Sequence, residues 1–343
     1  MKTGILGLPQ SGKRTLFRLL TGQRIPEARK PGEVVNGIAR VQDPRVDELA
    51  RICQPRKITF AENAFVLCPD VVDGPGKRGW LDAARRCDLL CLVIRAFPSE
   101  QVYHPHGSVD PARDRIELET ELVLADLELV LNRLLRIEKE IKGGQRTPGG
   151  AEEKALKRAE EALEAGRRLA ELEWSEEELA AIRGLGFVTS VPVLWTYNVA
   201  DDALAQDFGA DAITVSCQIE QEIAAIESPE ERRAFLADLG LDSAGLERMN
   251  RAAYAALGLM SFYTIGPDEV RAWTIRRDAS APRAGGKIHS DIERGFIRVE
   301  IIKYDDLIAA GGEKEAKAAG RVQSRGREYV LQDGDICHFL FSS

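Results

Sequence analysis

At 343 residues the chain has room for two or three domains with a substantial core, and its 44% hydrophobic and 30% charged content is that of an ordinary globular protein. A net charge of −8 argues against a nonspecific coat on nucleic acid, and no DNA contact is evident, although a local basic face is compatible with it. No apolar run approaches the roughly 18 residues of a membrane span, and the apolar stretch of MKTGILGLPQ is too short for a signal-peptide core, so a cytoplasmic protein without a membrane partner is expected.

Taken in chain order, Lys2 to Leu6 reads as a short buried strand, and Arg14 to Leu20 as the helix after a glycine-rich loop. Ala64 to Cys68, Leu89 to Ile94 and Val191 to Tyr197 are further apolar runs of strand length bounded by turn or helix signals. Apolar strands alternating with helices predict an α/β domain, a mostly parallel sheet with helices on both faces. From about Arg115 to Ile182 the pattern becomes helical and charge-laced, interrupted by GGQRTPGG, which predicts an antiparallel α-hairpin of coiled-coil character. Its charges suit a solvated face or an arm that docks on a large partner. From about Gly258, short β-type runs (EVRAWTI, GFIRVEII, REYVL, ICHFLF) between turns predict a small α+β domain. The expected division is therefore 1–114 with 187–257, an inserted arm at 115–186, and 258–343.

The loop GLPQSGKRT is nearly a phosphate-binding loop, G-x-x-x-x-G-K-[ST], and it lies between a strand and a helix as that motif requires. Gly7 and Gly12 let successive N–H groups converge on phosphate oxygens, the helix adds its positive end, and Lys13 would reach the β- and γ-phosphates. The candidate phosphate-binding set is Leu8, Pro9, Gln10, Ser11, Gly12, Lys13, Arg14 and Thr15. Arg14 stands where a Ser or Thr hydroxyl would ligate magnesium; it has no acceptor atom and stays charged. Thr15 lies about 100° further around the helix and should face elsewhere. Arg14 either points outward or brings its guanidinium to the phosphates in place of the ion. The six cysteines show no ligand spacing and read as buried reduced thiols, and His104-Pro-His106 lacks a third ligand nearby in sequence. No catalytic base or nucleophile is recognised, and no metal site is assigned.

These features together resemble the Obg-like ATPase family, also called the YchF family, over nearly the whole chain. GLPQSGKRTLF is similar to that family's GLPNVGKSTLF. DPRVDELARICQPRK, VIRAF with VDPARD and ELVLADLELV, and the stretch from LGLMSFYTIGPDEVRAWTIRRDASAPRAGG to GREYVLQDGDICHF carry the rest of the likeness. The resemblance implies a P-loop domain, an inserted helical arm and a C-terminal ubiquitin-like β-grasp (TGS) domain. It also implies ATP or GTP as ligand, slow magnesium-assisted hydrolysis, and association with ribosomes or another RNA–protein particle.

The departures cluster at the metal. Beside Arg14, the first-switch threonine falls near Pro31, which has neither hydroxyl nor N–H. In the second switch one register puts Leu67 at the metal-side aspartate and Asp70 at the following glycine, keeping the flanking match; a shifted one gives Asp73 that role. Base recognition falls on Asn198, Val199 and Asp201, a hybrid of the guanine and adenine patterns, with Ser216, Cys217 and Gln218 as the last base-contacting loop. The lesser alternative is that Asn198 serves only to satisfy the phosphate loop and strand-end backbone. The expectation is a monomeric nucleotide-binding regulator, bound to ATP or GTP with magnesium weakened and hydrolysis impaired. A slow ATPase, with Asp73 or Asp70 and a further group holding magnesium, or a scaffold without nucleotide, are the alternatives.

Overall fold

A computed structural model describes residues 1–25, 33–72 and 78–342; Pro31 and Asp73, both named above, lie outside the described residues. In chain order the strands are β1 (Lys2–Leu6), β2 (Val35–Arg40), β3 (Lys57–Thr59), β4 (Glu62–Leu67), β5 (Leu89–Ala96), β6 (Val193–Val199), β7 (Ala212–Val215), β8 (Leu259–Thr264), β9 (Glu269–Arg276), β10 (Phe296–Lys303), β11 (Gln323–Arg325) and β12 (Asp335–Phe341). The helices used below are α1 (Lys13–Thr21), α2 (Pro44–Cys53), α3 (Leu81–Ala84), α4 (Pro111–Lys142), α5 (Ala151–Glu164), α6 (Glu176–Ile182) and α7 (Cys217–Ala225). The chain divides into two compact units, Met1–Gly37 with Ala64–Met249, and Ile38–Asn63 with Asn250–Ser343.

The first unit is built on a sheet of order β2-β4-β1-β5-β6-β7. The pairings of β1 with β4 and β5, of β5 with β6 and of β6 with β7 are all parallel, as the apolar runs predict. Seven consecutive residues of β5, Leu89 to Arg95, are buried, which requires cover on both faces of the sheet. Helix α1 buries Leu16 and Phe17 and ends at Gly22, whose φ of 67° suits only a residue without Cβ strain.

Helix α4 begins at Pro111, earlier than the predicted change at 115. Asp110 caps it, accepting the Arg113 N–H at 3.1 Å, and Pro111 takes the first helical position, where its missing N–H costs nothing. Leu118, Leu122 and Ala125 of α4 pack with Leu92, Ile94 and Trp195 of the sheet, so the start of α4 is part of the sheet's cover. Beyond them Val130 and Ile137 meet Leu156, Ala159 and Leu163 of α5 in a separate core. Between the two cores lies Asp126, wholly buried, accepting from the N–H groups of Val188 (3.2 Å) and Thr189 (2.7 Å) and the Thr189 hydroxyl (2.7 Å).

The second unit holds a mixed sheet of order β11-β10-β12-β8-β9-β3. β8–β9, β10–β12 and β10–β11 are antiparallel, whereas β12–β8 and β3–β9 are parallel. Phe262, Ile275, Val299, Ile301 and Phe339 centre its core. Residues 38–63, expected in the nucleotide-binding part, fall in this unit instead. Lys57–Thr59 lies in register with Glu269–Arg271 along the edge of the sheet. Asp43, the cap of α2, accepts from Arg45 and from the Tyr263 hydroxyl, and Arg45 reaches Asp333 at 2.9 Å. A three-residue edge strand with most of its side chains exposed leaves no alternation to detect, which is why it is silent in sequence.

Candidate functional site

The glycine-rich loop joins β1 to α1, at the carboxyl end of a central parallel strand. A Cβ on Gly7 would collide with the Val93 carbonyl, and one on Gly12, whose φ is 92°, with Asn198 Nδ2. Gln10 also has positive φ, 61°, a strained state for a residue with a side chain. The tight turn brings Ser11 and Lys13 inside, leaves Gln10 and Arg14 exposed, and partly buries Pro9 and Thr15. Leu8 is buried, so this member of the predicted set offers its backbone. The first N–H groups of α1 have no acceptors within the helix, as at any helix start.

Lys13 is 3% exposed, and its ammonium donates to the Leu8 carbonyl at 2.7 Å and pairs with Asp70 Oδ1 at 2.7 Å. Burial holds its pKa below the ordinary lysine value, against the opposing pull of Asp70. Ser11 Oγ is buried and has no hydrogen-bond partner among the described residues, so the loop carries an unsatisfied polar atom at its centre.

The base-side residues also assemble. Asn198, at the end of β6, donates from Nδ2 to the Ser11 carbonyl at 3.2 Å and accepts the Cys217 N–H on Oδ1 at 3.1 Å. It thereby ties the loop to the start of α7, and both ends of its buried amide are used in doing so. Ser216 caps α7, accepting from Ile219 N–H at 3.3 Å and donating to Asp201 Oδ1 at 2.7 Å. Val199 is buried in the sheet's core, and Gln218 is exposed. Burial, with Glu220 nearby, pushes the Cys217 thiol up to about 12, so it stays protonated at neutral pH.

The described positions that the resemblance sets beside magnesium fit the ion poorly. Arg14 has no acceptor and no hydrogen-bond or ion-pair partner among the described residues. Leu67 is apolar and wholly buried, and Asp70 is engaged with Lys13. The contact between Asp70 and Lys13 is a feature of the glycine-rich loop that sequence reasoning missed; an aspartate without a settled register shortly after β4 was the signal for it. His106, Asp114 and Glu117 come within 4.8 Å of one another, so the histidine pair does have carboxylates beside it, contrary to the sequence reading. Those groups already satisfy each other: His104 Nε2 meets Asp114 at 2.9 Å, Arg113 holds the other Asp114 oxygen, and His106 Nε2 meets Glu117 at 2.7 Å.

Comparison with known proteins bears on the whole chain. Residues 259–342 match the family model YchF-GTPase_C, a "protein of unknown function (DUF933)". The ribosome-binding ATPase YchF of Bacillus subtilis (strain 168) is 37% identical, with 100% of this chain and 99% of that protein covered. The chain belongs to the YchF family of Obg-like ATPases. A second YchF, the ribosome-binding ATPase of Escherichia coli O157:H7, is 38% identical over 99% of each chain. Obg-like ATPase 1 of Oryza sativa subsp. japonica is 32% identical over 100% of this chain and 92% of its own. The solved structure of the Schizosaccharomyces pombe YchF GTPase superposes with a TM-score of 0.81 at 28% identity, covering 99% of this chain and 97% of that one. The P-loop architecture and the C-terminal domain are therefore those of YchF proteins. Among the described residues, no helix is long and apolar enough to cross a membrane.

Proposed function

We propose that this YchF-family chain is a cytoplasmic, monomeric protein that binds a purine nucleotide, ATP or GTP, and acts on ribosomes with impaired hydrolysis. The observation that carries this is the loop itself: a turn too tight for Cβ atoms at Gly7 and Gly12, an unsatisfied Ser11 hydroxyl, and a desolvated Lys13 ammonium. Such a concave, cationic, N–H-lined turn at a helix start is suited to an anionic phosphate tail. The hydrogen bonds that join Asp201 to Ser216 and Asn198 to Cys217 support these residues as the base-reading set, and the Asp201 and Asn198 pair leaves the choice of base open. The relatives' names, ribosome-binding ATPase, support the ribosome as partner.

Hydrolysis is another matter. Metal and switch groups supply most of the charge stabilisation in phosphoryl transfer, and loss of one such contact costs about 10²–10³ in rate. With Arg14 in place of the metal-side hydroxyl, a slow relative would scarcely turn over. The order of β8, β9, β10, β11 and β12, with β12 parallel to β8, supports a β-grasp of the TGS kind, and α4 with α5 supports a coiled-coil-like docking arm. The alternative, a slow ATPase, draws on the relatives' names.

Labelled ATP and GTP, titrated with and without magnesium and followed by a single-turnover assay, test the proposal. Magnesium-independent binding without product is expected. Magnesium-dependent turnover would establish the ATPase reading, and absence of binding would leave a scaffold.

A further inference from the structure

Resting on the reading of the loop as a phosphate cradle, we infer that Asp70 occupies the place of a nucleotide's third phosphate and makes the site select nucleoside diphosphates over triphosphates. The lysine of such a loop reaches the β- and γ-phosphates. Here its ammonium already has two oxygen partners, Leu8 O and Asp70 Oδ1, each at 2.7 Å. A carboxylate oxygen at that distance makes the same charge-assisted contact as a phosphate oxygen.

The placement of Asp70 is anchored by its neighbours' backbone. Cys68 N–H donates to Ile5 O at 3.1 Å and Val71 N–H to Gly7 O at 3.1 Å, so the segment after β4 runs along β1 into the loop, with Asp70 between the two bonds. The Asp70 side chain is half exposed while Lys13 is buried, so the carboxylate caps the ammonium from the open side. A diphosphate can use the N–H groups at the start of α1 and the third ammonium proton, which Leu8 O and Asp70 Oδ1 leave over, without displacing the carboxylate. A third phosphate must share or take the ammonium's outer face, bringing negative charge against Asp70. In a metal-assisted site a divalent ion would offset that repulsion; Arg14 offers no oxygen ligand to hold one.

The test is a titration of fluorescent ADP and ATP, and of GDP and GTP, in EDTA, on the full-length wild type, Asp70→Asn and Asp70→Gly. Asp70→Asn keeps the side chain's shape, and the wild type alone already tests the preference. The wild type should bind the diphosphate more tightly. Both variants should tighten triphosphate binding about tenfold and change diphosphate binding by less than about threefold, erasing or reversing the preference. A wild type that binds triphosphate at least as well, or variants that shift both nucleotides equally, would overturn the inference while leaving nucleotide binding intact. Absence of binding to all three proteins would overturn the phosphate-cradle reading and this inference with it.

Discussion

Lys13 is a cation kept where burial opposes its charge, a choice that serves a ligand better than it serves the resting fold. Its pKa in the folded chain lies below 10.5. Between that lowered value and 10.5 the unfolded chain holds more protons, so this group's share of stability rises with pH across the window. Replacing it with methionine removes a desolvated charge and leaves Asp70, which is half exposed and can hydrate. Lys13→Met is therefore expected to leave the unliganded protein as stable or more stable, by about 1 kcal/mol, to remove the alkaline rise, and to lose nucleotide binding. Thermal denaturation at pH 7 and 9.5, with and without nucleotide, measures all three. The strand–loop–helix arrangement at Gly7 to Lys13 was legible because its glycines, lysine and flanking elements are contiguous. The Asp70 contact was not, since it depends on where the chain after β4 passes the loop, a fact of three-dimensional routing that no spacing encodes.

At the scale of elements, α4 shows how one buried carboxylate joins a helix to what it crosses. Asp126 accepts three hydrogen bonds from Val188 and Thr189. Burial raises its pKa in spite of them, so the donors only partly offset the cost of desolvating the charge. Asp126→Ala would orphan two buried N–H groups and a hydroxyl, and we expect a loss of about 3 kcal/mol, read as a lower urea midpoint. The cap of α2 gives a case of opposite sign. Burial acts to raise the Asp43 pKa, but the hydrogen bonds from Arg45 and Tyr263 outweigh it and hold the carboxyl below its ordinary 3.8. Its contribution is thus complete above the unfolded value and is lost as pH falls through the lowered folded one. Asp43→Asn should flatten the acid limb of a stability profile between pH 5 and 2, taken as about the span over which such a carboxylate titrates; an unchanged limb would show that other groups set it. Long elements such as β5 and α4 were legible from their runs and periodicity. Their ends moved by a few residues where a cap, such as Asp110 before Pro111, decided the boundary.

For the molecule as a whole, the parallel sheet was readable because alternating apolar strands and helices admit few arrangements. The grouping of residues 38–63 with the C-terminal unit was not, because β3 pairs with a strand far along the chain and shows too little burial to announce itself. A fragment spanning 259–342, the stretch matched by the family model, lacks β3 as well as Asp43 and Arg45, which bond Tyr263 and Asp333 respectively. We expect it to be much less cooperative in urea than a version carrying residues 38–63 through a linker; equal unfolding curves would show that the early segment is dispensable.

Thr59 and Glu269, hydrogen-bonded at 2.6 Å, are 210 residues apart. During synthesis the nascent β3 must therefore wait for 210 further residues before its neighbour strand begins. Its brevity, Lys57 at one end and the exposed Ile58 side chain between polar flanks make that wait tolerable, because so short and charged an edge is a poor template for pairing with other chains.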